Sequence, residues 1–154
     1  MTTPTDNSSS DPLEARKKAM DCLARREYGR TELQAKLISK GFARDTAAAA
    51  VEKLAAEGLQ DDRRFVDNFV QARINQGKGP VRIRLDLNQR GINETLVEAV
   101  FAERGTDWVS LAREVRERKF GSGLPRDFRE KARQMRFLQY RGFEAEQIHT
   151  VVNS

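Results

Sequence analysis

Leu33-Gln-Ala-Lys-Leu37-Ile-Ser-Lys40-Gly41-Phe42 decides the fold, because its pattern returns twice. It recurs as Ile83-x-x-x-Leu87-x-x-Arg90-Gly91-Ile92, and again as Leu138-x-x-Arg141-Gly142-Phe143. The glycines lie 50 and 51 residues apart (91 − 41 and 142 − 91). Each follows a cation, precedes a large apolar residue, and is followed by a second amphipathic stretch. A fixed period of this length marks a tandem repeat.

The pattern has a physical cause. A helix commonly stops at a residue in the left-handed conformation, one position beyond its C-cap, and glycine adopts that conformation at least cost. With Gly41 there, Leu37 and Phe42 become the two positions that touch in a Schellman motif. The same count pairs Leu87 with Ile92 and Leu138 with Phe143. Lys40, Arg90 and Arg141 fall where the negative end of the helix dipole favours a cation. Each repeat therefore predicts a helix, a sharp glycine stop, and a second helix held on by one apolar contact.

Working outward, Pro12 suits the first turn of a helix running to about Glu27, with Leu13, Ala19, Met20 and Leu23 as its apolar stripe. Tyr28-Gly29-Arg30 interrupts it. Thr31-Glu32-Leu33-Gln34 has the capping-box pattern for the helix that ends at Gly41. Asp45 is placed to cap a third helix, which passes through Val51 and Leu54 to Gly58. Asp61-Asp62 opens the next group, followed by the stripe Phe65, Val66, Phe69 and Val70. Gln76-Gly77-Lys78-Gly79 breaks that helix and Pro80 starts one over residues 80–90. Asn93 caps a helix with Leu96, Val97, Val100 and Phe101, closed near Gly105. The third group begins at Thr106-Asp107 with the stripe Trp108, Leu111, Ala112 and Val115. Gly121-Ser122-Gly123 breaks it, Pro125 starts a longer helix to about Arg141, and a last helix bears Ile148, Val151 and Val152. No stretch alternates with period two. The expected fold is all-α, nine helices in three tandem three-helix repeats, 12–58, 59–105 and 106–154. Residues 1–11, rich in Thr, Ser, Asp and Pro, form an expected disordered tail.

The chain has 154 residues, a net charge of +5 and a pI near 9.7. That balance points to an acidic partner, although the 28 cations and 23 anions are mostly interleaved. One cysteine excludes an internal disulfide, and one cysteine with one histidine cannot build a structural zinc site. The amino-terminal stretch has no apolar run of a secretory signal, and nothing approaches the length of a membrane span. A soluble, cytoplasmic, monomeric protein without cofactor or metal is expected.

No catalytic constellation emerges. Gly77-Lys78-Gly79-Pro80 lacks the spacing and the Ser/Thr of a P-loop and reads as a loop between helices. Asp61-Asp62 reads as a dipole-complementing helix start rather than a carboxylate pair. His149 has no cysteine or serine near it in sequence. Cys22 reads as a small buried hydrophobe. The cations say more. Between residues 73 and 90, Arg73, Lys78, Arg82, Arg84 and Arg90 meet one acid, Asp86, a local balance of +4 (5 − 1). On a helix over 80–90, Ile83 and Leu87 face the core while Arg82, Asp86 and Arg90 share an exposed face. Arginine suits planar recognition of carboxylate or phosphate. A second cluster, Arg113, Arg116, Arg118, Lys119, Arg126, Arg129, Lys131, Arg133 and Arg136, carries Glu114, Glu117, Asp127 and Glu130 three or four residues from its bases. That spacing leaves a solvated face and a binding face equally open. Most of the eight phenylalanines fall on core-facing positions or helix stops, which tilts against a stacking platform for single strands.

The stretch Leu23-Ala-Arg-Arg-Glu-Tyr-Gly-Arg-Thr-Glu-Leu33, with Leu37 and Lys40-Gly41-Phe42, resembles the first repeat of the RecX regulatory proteins. Gly58-Leu-Gln-Asp-Asp-Arg-Arg-Phe65, Phe69-Val70, Arg73, Gly77-Lys-Gly-Pro-Val-Arg-Ile-Arg84 and Arg90-Gly91-Ile92 are similar to the central RecX signature, and Arg136-Phe-Leu-Gln-Tyr-Arg-Gly-Phe143 fits its end. The resemblance spans roughly residues 14–152 and implies an elongated, curved array of the three-helix repeats. It implies a protein that binds the RecA recombinase and its filament on single-stranded DNA, suppresses ATP hydrolysis and strand exchange, and performs no catalysis. By position it makes Arg73, Lys78, Arg82, Arg84 and Arg90 the expected contacts to RecA or DNA. A basic helical module that binds single-stranded DNA directly is the alternative, and weak DNA binding is compatible with both.

Overall fold

A computed structural model describes residues 8–153. Among them the chain forms nine α-helices and no strand, in the order α1 (Pro12–Arg25), α2 (Arg30–Ser39), α3 (Arg44–Ala56), α4 (Asp62–Asn75), α5 (Pro80–Gln89), α6 (Glu94–Arg104), α7 (Trp108–Phe120), α8 (Phe128–Tyr140) and α9 (Ala145–Asn153). They follow one another as three tandem groups of three. Two compact units contain them: residues 1–68 with 90–93, and residues 69–89 with 94–154.

The glycine stops have the geometry that the sequence requires. Gly41 has φ +103, its N–H donates to the Ile38 carbonyl at 3.0 Å, and the Phe42 N–H donates to the Leu37 carbonyl at 3.1 Å. Gly142 repeats this with φ +96, bonding Gln139 at 3.0 Å while Phe143 bonds Leu138 at 3.2 Å. These two bonds define the Schellman motif. Leu37, Phe42, Leu138 and Phe143 are all buried. Gly91 holds φ +76, and a Cβ there would meet the Thr31 methyl at 3.2 Å. Gly91→Val is therefore expected to cost about 2 kcal/mol, because a β-branched side chain fits poorly at positive φ. An unchanged melting temperature would show that the turn tolerates a side chain.

The core of the first unit joins α1, α2 and α3 through Ala15, Ala19, Cys22, Leu33, Leu37, Ala47, Val51 and Leu54. Here the sequence reading needs correction. Leu13 and Met20 are exposed, and the buried stripe of α1 is Ala15, Ala19 and Cys22. The small residues lie on one helix face at spacings of four and three, so they bring α1 close to its neighbours. Cys22 is a buried hydrophobe, as its setting suggested.

Three helix starts also differ. The N-cap of α2 is Gly29, not Thr31, and Glu32 reaches back to accept the Gly29 N–H at 3.3 Å. The N-cap of α3 is Ala43, with Asp45 inside the first turn. α8 starts at Phe128 rather than Pro125, because Asp127 supplies the cap by accepting the Glu130 N–H at 2.8 Å. Most of the expected tail lies outside the described residues. Its last part is ordered: the Ser9 N–H donates to the Gly41 carbonyl at 2.7 Å, the Ala43 N–H donates to Ser9 at 2.9 Å, and Asp11 caps α1. The turn at Gly41 leaves backbone groups that a passing chain can pair, and local polarity does not reveal that.

In the second unit, Ala112, Val115, Leu138, Phe143, Ile148, Val151 and Val152 form a core between α7, α8 and α9. Ile83 and Leu87 of α5 are fully buried, as their spacing required. Phe101 stacks on Trp108 at 5.6 Å, and Phe120 meets Phe137 edge to face at 5.4 Å.

Candidate functional site

The loop between α4 and α5 lies at the centre of the sequence signature and is built on glycine. Gly77 (φ +75) ends α4 as a Schellman turn, with the Lys78 N–H on the Arg73 carbonyl at 3.0 Å. Two residues on, the chain crosses the α8–α9 turn at backbone distance. The Gly79 N–H donates to the Arg141 carbonyl at 2.8 Å, and the Val81 N–H donates to the Gly142 carbonyl at 2.9 Å. The donor from Val81 is one of the four that the start of α5 leaves without an intrahelical partner. A Cβ on Gly79 would lie 2.4 Å from the Gly142 oxygen. Arg141 closes the crossing by donating to the Gln76 carbonyl at 2.9 Å. This loop is a structural lock, its glycines serving a backbone crossing.

The first unit contains the counterpart one period earlier. Gly29 stands 50 residues before Gly79 (79 − 29) and packs against Ile92, whose Cδ1 would lie 3.0 Å from an added Cβ. The start of α2 is also satisfied from the following repeat: the Arg30 N–H donates to Asp62 Oδ1 at 2.7 Å. The same carboxylate accepts from Gln60 Nε2 at 2.9 Å, and that buried amide also donates to the Tyr28 carbonyl at 3.1 Å. Asp62 is thus the cap of a helix other than its own. Asp61 caps α4, accepting the Arg64 N–H at 3.1 Å.

The five expected contact residues do not form one bare basic face. Arg73 Nε lies 3.4 Å from Asp86, and its guanidinium covers the Phe69 ring at 4.3 Å. Arg82 approaches the same aspartate at 3.7 Å. Arg84 binds Glu98 through two nitrogens, at 2.9 and 3.0 Å, reaches Glu144 at 3.2 Å, and lies over Phe101 at 4.5 Å. Burial opposes the charge on Arg84, but its two glutamates hold the guanidinium pKa above its ordinary value. Arg90 pairs with Glu32 in the first unit, whereas the other four belong to the second. Lys78 is half-buried at the loop. The local balance of +4 overstated the field, because Glu32, Glu98 and Glu144 come from distant parts of the chain.

The second cluster divides as well. Arg116 is 1% exposed and structural, donating to the Gly123 carbonyl at 3.0 Å and to Gln134 Oε1 at 3.3 Å. Arg118 pairs with Glu114 at 2.8 Å, and Arg133 with Glu130 at 3.2 Å. His149 is exposed. Among the described residues no group of three His, Cys, Asp or Glu side chains is placed to hold a metal ion, and no helix is long and apolar enough to cross a membrane.

Three stretches match RecX domains: residues 15–54 the first three-helix domain, 61–100 the second and 106–152 the third. The regulatory protein RecX of Pseudomonas savastanoi pv. phaseolicola is 46% identical over 137 residues, covering 89% of this chain and 88% of that protein. That of Halorhodospira halophila is also 46% identical, over 130 residues, covering 84% and 81%. The crystal structure of RecX from Lactobacillus salivarius superposes with a TM-score of 0.77 over 92% of this chain and 94% of that one, at 21% identity. Fold and sequence together define a protein of three tandem three-helix domains. The chain belongs to the RecX family of regulatory proteins.

Proposed function

We propose that this protein is a non-catalytic regulator that binds RecA and its filament on single-stranded DNA, lowers ATP hydrolysis and strand exchange, and so modulates recombination and repair in the cytoplasm. The observation that carries the reading is the match of all three three-helix domains, in order, to a family of regulatory proteins. It acts as a monomer. Its central cations, Arg73, Lys78, Arg82, Arg84 and Arg90, are the proposed contacts to acidic side chains of RecA or to phosphates.

Pairing within the chain does not disqualify them. Half-exposed ion pairs are worth only about 0–1 kcal/mol, so a partner's carboxylate can replace an internal one at little cost. The pairs also hold the guanidinium planes in place before a partner arrives. Arg84 is a poor probe, because it ties α5 to Glu98 and Glu144 and its reversal would disturb the fold. Lys78→Glu with Arg82→Glu is the cleaner test. It is expected to weaken inhibition of RecA at least tenfold at unchanged helicity, each reversed contact costing about 1 kcal/mol or more. Full inhibition by that folded variant would remove Lys78 and Arg82 from the contact surface.

The reading itself is tested by the rate of RecA ATP hydrolysis on single-stranded DNA, titrated with this protein at near-physiological salt. Inhibition well below the RecA concentration is the expected result. Inhibition only at ratios that coat the DNA would favour simple competition for DNA and overturn the proposal.

A further inference from the structure

The outward face of α8 is unlike any other basic stretch of the described chain. Arg129, Arg133, Arg136 and Tyr140 follow at spacings of four, three and four, which places them along one helix face, and all four are exposed. Only Arg133 has an acid at helical spacing, Glu130, and it also lies over the Phe120 ring at 5.1 Å. Among the described residues no carboxylate pairs with Arg129 or Arg136, nor with Arg126 in the loop just before the helix. Like charges three and four apart repel and cost a helix stability, and in this row only Arg133 is relieved by a carboxylate of the chain, Glu130.

Two exposed aromatics stand near the ends of the row, Tyr140 on its face and Phe128 about 100° round the helix from Arg129. Phe128, in the first turn, is 86% exposed, and Tyr140, in the last, is 76% exposed. A phenylalanine so exposed stands apart from the rest of this chain, where the other seven are buried or half-buried. The two lie 12 residues apart, about 18 Å along the axis. Beside the first turn an open cleft of about 510 Å³ is lined by Phe120, Leu124, Pro125, Arg126 and Arg129. Gly123, Asp127, Glu130 and Gln134 also line it, and behind them stands the buried Arg116, whose Nε has no hydrogen-bond partner and whose nearest carboxylate, Glu117, is 3.8 Å away. Its rim carries Arg126 and Arg129 beside Asp127, which caps α8, and Glu130, which pairs with Arg133.

We infer that the α8 face binds a single-stranded polynucleotide, its phosphates along Arg126, Arg129 and Arg136 and its bases stacked on Phe128 and Tyr140. A cationic track with spaced aromatics is the arrangement that single strands require, whereas an acidic protein surface would have no use for an exposed ring at each end. The scarcity of stacking residues in the sequence is corrected by these two positions. The inference goes beyond the RecA reading and does not rest on it.

The test is fluorescence anisotropy of labelled oligo-dT with the full chain at several salt concentrations. Three unpaired arginines at roughly 0.7 counterions per phosphate give an expected slope of about −2 in log affinity against log salt. Arg129→Glu with Arg136→Glu is expected to weaken binding more than tenfold. Phe128→Ala with Tyr140→Ala is expected to weaken it about tenfold at an unchanged salt slope. All four side chains are exposed, and unchanged helicity checks that folding is intact. Equal affinity in the aromatic variant would overturn the proposal, as would tighter binding of polyglutamate than of oligo-dT. Oligo-U of equal length, run in parallel, identifies RNA or DNA as the source by the tighter complex.

Discussion

Replacing Gly79 by alanine is expected to lower stability by about 3 kcal/mol. The new Cβ would lie 2.4 Å from the Gly142 oxygen and 2.5 Å from its carbon, and backbone cannot swing aside as a side chain can. Relief requires the α4–α5 loop to lift off the α8–α9 turn. That movement breaks the bonds from Gly79 to Arg141 and from Val81 to Gly142. For a chain of this length the melting temperature should fall by roughly 10 °C. Gly121→Ala is the control, since nothing lies within 4 Å of a Cβ there and only its positive φ opposes the change. A Gly79→Ala melting temperature within a degree or two of the parent would show that the crossing is looser than its distances imply.

The second large effect is expected at Asp62. Truncation to alanine removes the acceptor for the Arg30 N–H at the start of α2 and one partner of the buried Gln60 amide. Loss of a helix cap costs about 1 kcal/mol, and leaving a buried donor unsatisfied adds about as much or more. The expected total is about 2–3 kcal/mol, with a melting temperature lower by roughly 5–10 °C. Asp62→Asn keeps the Oδ1 that accepts from both donors and should lose less than half of that. Equal losses for the two variants would mean that the charge, not the hydrogen-bond geometry, does the capping. Asn68→Ala, an exposed position on the same helix, is the comparison for ordinary surface change.

The helix count and the stops at Gly41 and Gly142 were legible because a Schellman turn is local: cation, glycine and apolar residue declare it within six positions. Ile83 and Leu87 were legible for the same reason, since helical periodicity fixes which side faces inward. What the sequence hid depends on residues far apart in the chain. Asp62 looked like a dipole-complementing acid, and its partner Arg30 is 32 residues away. The central arginines looked unneutralised, but Arg84 finds Glu144 at a separation of 60 and Arg90 finds Glu32 at 58. The stripe of α1 was misread because large apolar residues drew attention from the small ones. Close helix approach depends on Ala15 and Ala19, and Leu13 is left in water. Phe128 escaped notice because its phenyl ring suggested burial, and only the position of Asp127 as a cap places it outside.

Gly29 and Gly79 each precede their turn glycine by twelve residues, and each lets the start of a helix be finished by atoms of the next repeat. The corresponding position in the third repeat is Glu130, which lies inside α8. That helix begins earlier and carries its own cap in Asp127. The third repeat can receive a neighbour but offers no seat to another. The repeats are therefore not interchangeable: two of them leave a helix start to be completed by a distant part of the chain, and the third completes its own.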